Sequence, residues 1–214
     1  MMNYGKVFLN SVGVTIASVS GLILFASMAS YQIVRRQCRL STIIYYSILA
    51  SMAIPFQVLM VPSVIVAKSL HIVNTTYGLV IMYWGFMLPM AIFLYQGFIK
   101  SVPRELEEAA MIDGCGQIYA FFKIVFPMLM PITSTIAIIN VLGVFNDFLL
   151  PLIMLSSDDV KTIPLSLSIF FSNYTAEWNL IMAALALSII PGLVFFLLMQ
   201  KKIIGGLAEG AIKG

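Results

Sequence analysis

The sequence has little charge. Of its 214 residues, 10% are Asp, Glu, Lys or Arg, whereas an average soluble domain carries roughly 25%. Hydrophobic residues make up 61% of the chain, and its mean hydropathy is +1.02. This composition excludes an ordinary soluble domain and indicates that the lipid bilayer is the solvent. The net charge of +3 is small and spread along the chain, so nothing in it favours binding to nucleic acid.

Cysteine and histidine are also scarce. Cys38 and Cys115 lie far apart and match neither a metal-binding spacing nor a disulfide framework, so we expect free thiols. The one histidine, His71, has no partner at ligand spacing and is interpreted as an interfacial residue. The sequence contains no G-x-x-x-x-G-K-[ST] phosphate loop and no Ser/His/Asp set. These absences predict a chain with no metal site, no cofactor and no enzyme activity of its own.

Long apolar runs, by contrast, are abundant. A membrane-spanning helix needs about 20 largely apolar residues, and five runs reach that length. Prolines inside several runs predict kinks, which neighbouring helices can tolerate. The expected fold is an all-α integral membrane protein, a single domain over residues 1–214 with about five transmembrane helices. The five runs are residues 7–34, 42–67, 76–98, 128–150 and 179–199.

Lysine and arginine predict the orientation in the membrane, because cytoplasmic loops carry an excess of both. Nine of the twelve basic residues fall in the first loop, the third loop and the C-terminal tail. The segment 101–127 and the tail, about 201–214, are therefore expected in the cytoplasm. The N-terminus and the loop at about 151–178 are expected outside.

The cytoplasmic segment begins as an acidic helix. Pro103 is expected near the first helical position, where a missing N–H costs nothing. Three carboxylates follow within two turns, where the helix dipole favours negative charge. Alanines make one face of this helix narrow, so that another backbone could approach it closely. The carboxylates are those of Glu105, Glu107 and Glu108, and the face consists of Leu106, Ala109, Ala110 and Asp113.

Asp113-Gly114 then predicts a turn, because glycine tolerates the left-handed conformation that ends many helices. A second, apolar helix is expected at about 117–125, and Pro127 and Pro131 mark the entry into the fourth span. Two interpretations fit this helix–turn–helix. It transmits force from a soluble partner to the spanning helices, or it is a surface amphipathic helix that completes a loop.

A family resemblance favours the first interpretation. Glu108-Ala109-Ala110, three residues, Gly114, nine residues, Ile124 and then Pro127 resemble the EAA loop of bacterial ATP-binding-cassette importer permeases. The stretch "SVPRELEEAAMIDGCG" at 101–116 is similar to the carbohydrate-uptake branch, in particular to permeases of the maltose-system type. The likeness continues over nearly the whole chain, in "FNDFLLPLIML" (145–155), "KTIPLSLSIF" (161–170) and "QKKIIGGLAEGAIKG" (200–214).

The sequence departs from the family pattern in a few places. Cys115 stands where Ala is common, and Phe126 stands where Leu is common. Residues 10–36 resemble the second of the six helices usual in such permeases, so a first helix is expected to be missing. The resemblance leaves two explanations open: a truncated product or start site, or a member that works with five helices.

The resemblance implies a multi-pass subunit in the bacterial cytoplasmic membrane that moves a sugar or related solute by alternating access. Its implied partners are a cytoplasmic ATPase dimer, a second permease in a hetero-dimer and an external solute-binding protein. Residues 105–116 would dock in the ATPase, and the C-terminal tail, about 205–214, would lie near it. The implied coupling residues are Glu105, Glu108, Ala109, Ala110, Asp113, Gly114 and Pro127. The implied contacts with the binding protein are Asp158, Asp159, Glu177 and Trp178.

A substrate path is harder to assign. Asn146 and Asp147 near the outer end of the fourth span are candidates, because an ionisable residue in a membrane segment defaults to a functional hypothesis. Capping of the helix end by Asp147 is the alternative. Trp84, beside Tyr83, could stack on a sugar or pack into the bundle. Two other functions also stay open: an ion-coupled secondary transporter, which would need ionisable residues near the midplane, and a non-transporting assembly subunit.

Overall fold

The fold is built from helices. The computed structural model describes residues 3–168 and, further along, 179, 182–183, 185–194 and 197. Among these residues there is no strand, which confirms the expected all-α class. In chain order the helices are α1 (Tyr4–Arg35), α2 (Arg39–Ser51), α3 (Phe56–Ser69), α4 (Thr76–Lys100), α5 (Glu105–Ile112), α6 (Gln117–Ala120), a π-helical turn (Phe121–Val125), α7 (Phe126–Met128), α8 (Met130–Asn146), α9 (Leu149–Met154), α10 (Ile163–Leu167) and α11 (Leu185–Val194).

Two helices are long and apolar enough to cross a membrane unbroken. Helix α1 has 32 residues and α4 has 25, and both meet the length that a bilayer core requires. They confirm the expected first and third spans. Pro89 lies inside α4 without ending it, as prolines in spanning helices often do when the freed carbonyl finds another partner. Two bent pairs of shorter helices bring the possible spans among the described residues to four.

The expected second span is interrupted at a proline, and its two helices meet at a bend of 109°. The run 42–67 is divided between α2 and α3, and Pro55 occupies the N-cap of α3 in an extended conformation. Proline has no backbone N–H, and its ring disfavours a helical conformation in the residue before it. Pro62, only seven residues later, lies within α3 without breaking it. The sequence therefore contained the break, but it did not distinguish which proline causes it.

The fourth span differs from expectation, and the fifth is described only in part. Helix α8 ends at Asn146, four residues earlier than expected, and Leu149–Met154 forms the separate α9. The segment Gln117–Met128 meets Met130–Asn146 at a bend of 75°. In the fifth run, Leu185–Val194 is a helix, and residues 179, 182–183 and 197 are also described. The other residues of this run, together with Glu177, Trp178 and the tail 201–214, lie outside the described residues.

Contacts divide the chain into two compact units. Among the described residues, the first unit comprises those up to Val19, Pro55–Gly85 and those from Ile139 to Leu197, and the second comprises Ser20–Ile54 and Phe86–Ile138. The division does not test the expectation of one domain over the whole chain, which stays a prediction. The acidic helix–turn–helix belongs to the second unit, and the candidate substrate path belongs to the first.

Candidate coupling surface

Helix α5 presents a free face of small side chains. It runs from Glu105 to Ile112, so Pro103 lies two residues before the helix and not within it. Ala109 is exposed and Ala110 is half-buried. The other residues of the predicted coupling set and of its narrow face are exposed as well: Glu105, Leu106, Glu108, Asp113, Gly114 and Pro127. A soluble partner could therefore reach this face without any rearrangement of the second unit.

One acid of the same helix points the other way. Glu107 is 4% exposed, although its neighbours Glu105 and Glu108 are open to solvent. Its Oε1 accepts hydrogen bonds from Arg35 Nε (2.8 Å) and Arg35 Nη2 (2.5 Å), and its Oε2 accepts one from the Tyr31 hydroxyl (2.6 Å). The partners stand 72 and 76 residues away in the sequence, on α1. Sequence reasoning grouped Glu107 with its exposed neighbours and missed this role.

A second contact of Arg35 and the side chain of Arg104 also join the end of α1 to the start of the coupling segment. Arg35 Nη2 also donates to the carbonyl of Val102 at 3.0 Å. Arg104 Nη2 donates in the opposite direction, to the carbonyls of Val34 (3.4 Å) and Arg35 (3.3 Å). A cation at the last carbonyls of a helix satisfies groups that have no partner within the helix and complements the helix dipole.

Gly114 makes the turn at the end of α5. Its φ is +86°, a left-handed value that side-chain-bearing residues rarely adopt. The N–H of Cys115 donates to the carbonyl of Ala110 at 2.9 Å, and the N–H of Gly114 donates to that of Met111 at 3.0 Å. Together these are the two bonds of a Schellman motif, in which a glycine follows the helix cap. The helix stop expected at Asp113-Gly114 is present.

The second arm begins as expected but is not a plain α-helix. Helix α6 covers only Gln117–Ala120, and the backbone then widens into a π-helical turn at Phe121–Val125. The N–H of Phe126 donates to the carbonyl of Phe121, five residues back. Pro127, in α7, follows at once and has no N–H to continue the α-helical pattern. Such π turns are rare and often occur at functional sites.

Both arms of the helix–turn–helix contact the side chain of Tyr31 in α1. Tyr31 lies against Phe121, with ring centroids 5.0 Å apart, while its hydroxyl binds Glu107 of α5. Tyr31 and Phe121 are both buried, at 3% exposure each. One side chain of α1 therefore contacts both arms of the helix–turn–helix.

In the first unit, both carboxylate oxygens of Asp147 accept hydrogen bonds. Its Oδ2 accepts a hydrogen bond from the Tyr83 hydroxyl at 2.9 Å, and its Oδ1 accepts one from the N–H of Leu149 at 3.0 Å. The second contact satisfies a free N–H at the start of α9, whereas the alternative to a substrate role placed Asp147 as a cap at the end of the fourth span. The amide of Asn146 is exposed and donates to the carbonyl of Leu142, one turn back.

Trp84 lines a groove of the first unit. Its Nε1 donates to the carbonyl of Ser18 at 2.9 Å, and the side chain is half-buried. The groove has a volume of about 440 Å³ and a largely apolar lining, with Tyr77 and Asn10 as its other notable residues. The Asn10 amide, however, is already bonded to the carbonyls of Asp159 and Lys161. These contacts do not decide between packing and a sugar-stacking role for Trp84.

The loop after α9 is tied down at several points. Asn74, in a left-handed conformation with φ of 60°, accepts hydrogen bonds through Oδ1 from the N–H groups of Ser156 and Ser157, both at 2.9 Å. Of the predicted binding-protein contacts, Asp159 pairs with Lys6 and Asp158 pairs with Lys161. The hydrogen bond from Lys161 lowers the pKa of the exposed Asp158 carboxyl. Both aspartates remain accessible to a partner.

Among the residues that the structure describes, no group of three or more His, Cys, Asp or Glu is placed to hold a metal ion. Cys38 and Cys115 are free thiols there, as expected. Cys38 caps α2, accepting a hydrogen bond from the N–H of Ser41 at 3.4 Å. Hydrogen bonding by the Ser41 side chain lowers the pKa of this exposed thiol.

The comparisons agree on one type of protein. Residues 13–207 match the family described as "binding-protein-dependent transport system inner membrane component". The chain is 38% identical over 212 residues to the probable starch degradation products transport system permease protein AmyC of Thermoanaerobacterium thermosulfurigenes, with coverage of 99% of this chain and 77% of that protein. It is 37% identical to the melibiose/raffinose/stachyose import permease protein MelC of Bacillus subtilis, over 98% of this chain and 76% of MelC.

A solved structure shows the same fold. A chain of a bacterial ABC transporter involved in the import of the acidic polysaccharide alginate superposes with a TM-score of 0.79 at 18% sequence identity. The superposition covers 92% of this chain and 74% of that one.

Proposed function

The chain belongs to the family of binding-protein-dependent transport system inner membrane components and is a multi-pass permease subunit of an ATP-binding-cassette importer, and we propose that α5 is the surface through which a separate ATPase drives it. Hydrolysis of ATP would take place in that ATPase. The permease would alternate between outward-open and inward-open states, and the solute would cross the membrane by this alternating access, which is general to transporters.

The observation that carries the proposal is the shape of α5. Its alanine face is accessible, with Ala109 exposed and Ala110 half-buried, and Glu105 and Glu108 stand beside that face at the helix start. Alanines permit close backbone approach, and the two free acids can form charge-assisted hydrogen bonds with basic groups of a partner. The Gly114 turn leads directly into the apolar second arm. Asp113 and Pro127 complete the proposed coupling set.

The proposed solute is a neutral sugar or oligosaccharide. The support is indirect: AmyC and MelC are named for starch degradation products and for melibiose, raffinose and stachyose. Asn146, Asp147 and Trp84 remain proposed path residues. Because Asp147 is already bonded to Tyr83 and Leu149, a role for it in binding would require at least one of those bonds to exchange for a solute hydroxyl.

The assembly is proposed to contain two ATPase subunits, a second permease of different sequence and an external solute-binding protein. Asp158 and Asp159 are proposed contacts for that protein; Glu177 and Trp178 are proposed on the sequence resemblance alone. Affinity purification of the tagged chain from native membranes in mild detergent, followed by mass spectrometry, tests the assembly. We expect an ATP-binding-cassette ATPase and a second permease in comparable amounts, and recovery without any ATPase would contradict the proposal.

A further inference from the structure

The buried contacts of Glu107 suggest a second mechanical connection for α5, besides the turn at Gly114. Three side chains join the last turns of α1 to residues 102–107 by hydrogen bonds: Tyr31 and Arg35 bind Glu107, Arg35 also binds the Val102 carbonyl, and Arg104 binds the end of α1. The side chains of Arg35 and Glu107 are only 10% and 6% exposed. Two N–H groups of Arg35 donate to the same oxygen of Glu107. Because the guanidinium is planar, this pair also fixes the orientation of the two side chains.

The burial makes this connection stiff. A surface ion pair exchanges readily with water and contributes little. A buried charge that loses its partner is strongly unfavourable, so the pair resists separation even if its net contribution to stability is small. Both carboxylate oxygens of Glu107 are occupied, which leaves the side chain no equivalent alternative position.

The same residues hold the other arm. The ring of Tyr31 packs on Phe121 in the π-helical turn, and Phe121 also contacts Phe122 and Phe126, with ring centroids 4.9 and 6.0 Å away. Displacement of α5 alone would therefore have to break the Tyr31–Glu107 bond, whereas displacement of α5, the π-helical turn and the end of α1 together would preserve every contact named.

We propose that Arg35 and Tyr31 are positioning residues that clamp Glu107, so that the end of α1 moves as one body with the coupling helix during the transport cycle. The inference rests on the proposed function, because it concerns how the ATPase-driven movement of α5 is passed on. It adds α1 to the route that the Gly114 turn and the second arm provide.

The chain offers its own sites for a direct test. Cys38 is exposed three residues beyond α1, and Met111 on α5 is 44% exposed. In a Cys115→Ala background, spin labels at Cys38 and at Met111→Cys report the distance between the end of α1 and α5 by pulsed electron paramagnetic resonance. The measurement uses the complete complex in proteoliposomes, with ATP absent and with ADP and vanadate bound.

We expect one narrow distance distribution that is unchanged between the two nucleotide states. Glu107→Gln and Arg35→Gln should broaden it or make it depend on nucleotide. The matched control is Arg36→Gln, which alters the adjacent, exposed arginine and should leave the distribution as it is. A distance that changes with nucleotide in the unaltered complex, or that stays narrow and constant in both variants, would overturn the proposal.

A second measurement separates positioning from folding. Uptake of raffinose or maltotriose per ATP hydrolysed should fall by roughly 3- to 30-fold in Glu107→Gln, the range in which residues along a coupling route act, while the ATPase still co-purifies. Removal of either charge already leaves the other without its buried partner. Uptake per ATP hydrolysed in the double variant Arg35→Gln/Glu107→Gln should therefore be no lower than in either single variant. Additive losses would contradict a shared clamp.

Tyr31→Phe is the variant least expected to misfold, because it keeps the ring on Phe121 and removes only the hydroxyl. It should broaden the same distance distribution to a smaller extent, and Tyr46→Phe, at a residue 63% exposed, should not. If Tyr31→Phe leaves the distribution unaltered, Tyr31 is not part of the clamp. If the unaltered complex shows no ATP-dependent uptake, the proposed function fails instead, whatever the spin-label distances are.

Discussion

At the scale of single residues, Gly114 offers the plainest test of the turn. A Cβ at this position would meet no atom within 4 Å, so the cost of substitution lies in the backbone, whose φ is +86°. A β-branched residue held in this region costs about 1–3 kcal/mol. We expect Gly114→Val to uncouple ATP hydrolysis from solute uptake while the protein still inserts into the membrane.

The matched control for Gly114 lies two residues away. Gly116 also has open space around its Cβ position, but its backbone is extended, with φ −73° and ψ 157°, which valine favours. Gly116→Val should keep the wild-type ratio of uptake to ATP hydrolysis. Normal coupling in Gly114→Val, or equal losses in both variants, would contradict the role given to the turn.

Cys38 yields a prediction about pH. Hydrogen bonding by the Ser41 side chain lowers the pKa of the thiol, and the thiolate is the reactive form. In a Cys115→Ala background, alkylation of Cys38 by iodoacetamide should therefore rise at a lower pH than for an ordinary cysteine. Ser41→Ala should shift the pH profile of the alkylation rate to higher pH. An unchanged profile would show that Ser41 does not set this pKa.

Residue by residue, the sequence was informative where local chemistry decides the outcome. The left-handed Gly114 and the helix start rich in acids both follow from the chain nearby, and both are present. Glu107 could not be singled out, because its burial depends on Arg35, 72 residues away. For Asp147 the sequence permits two interpretations, and its contacts with Tyr83 and Leu149 decide neither.

At the scale of elements, the accessible face of α5 predicts a defined response to charge. Ala109 is exposed, and we propose that it packs closely against the ATPase, where an added carboxylate would be desolvated without a partner. Ala109→Glu should reduce the amount of ATPase that co-purifies with the chain. Ala109→Ser, which keeps the side chain small, should not; unchanged association in Ala109→Glu would count against this face as the docking surface.

Asn74 holds the turn between α3 and α4 to the loop after α9. Asn74→Gly tolerates the left-handed backbone and removes the side-chain oxygen that accepts hydrogen bonds from the N–H groups of Ser156 and Ser157 and from the Ser157 hydroxyl. Each such bond has a net contribution of about 0.5–1.5 kcal/mol, so hydrogen exchange at Ser156 and Ser157 should accelerate roughly tenfold. Unchanged exchange at both amides, measured by mass spectrometry, would show that Asn74 does not restrain this loop.

Element boundaries were predicted best for the two long runs that no break divides, even though Pro89 lies inside α4. Helices α1 and α4 were expected nearly to their ends, because a long apolar run has no competing structure in a bilayer. The interruption of the second run was expected from its prolines, but the sharp bend of 109° and the early end of α8 were not. In each case hydropathy continued across the break, whereas the break itself depended on Pro55 or on the short segment around Asp147.

At the scale of the whole molecule, the function followed from spacing and not from composition. Hydropathy identified a membrane protein, but it could not separate a transporter from an assembly subunit. The spacing from Glu108 to Pro127 suggested the importer family, which the match over residues 13–207 confirms. The solute could not be inferred in the same way, because none of the described polar groups forms a site whose geometry selects one sugar.

We propose that ATP hydrolysis in a separate subunit drives transport through this subunit. The most direct measurement is uptake of raffinose or maltotriose into proteoliposomes that contain the purified complex and its binding protein, with ATP enclosed and ion gradients collapsed by ionophores. We predict accumulation that requires ATP and is abolished by vanadate. Accumulation without ATP, or uptake that disappears when the ion gradients alone are collapsed, would contradict the account.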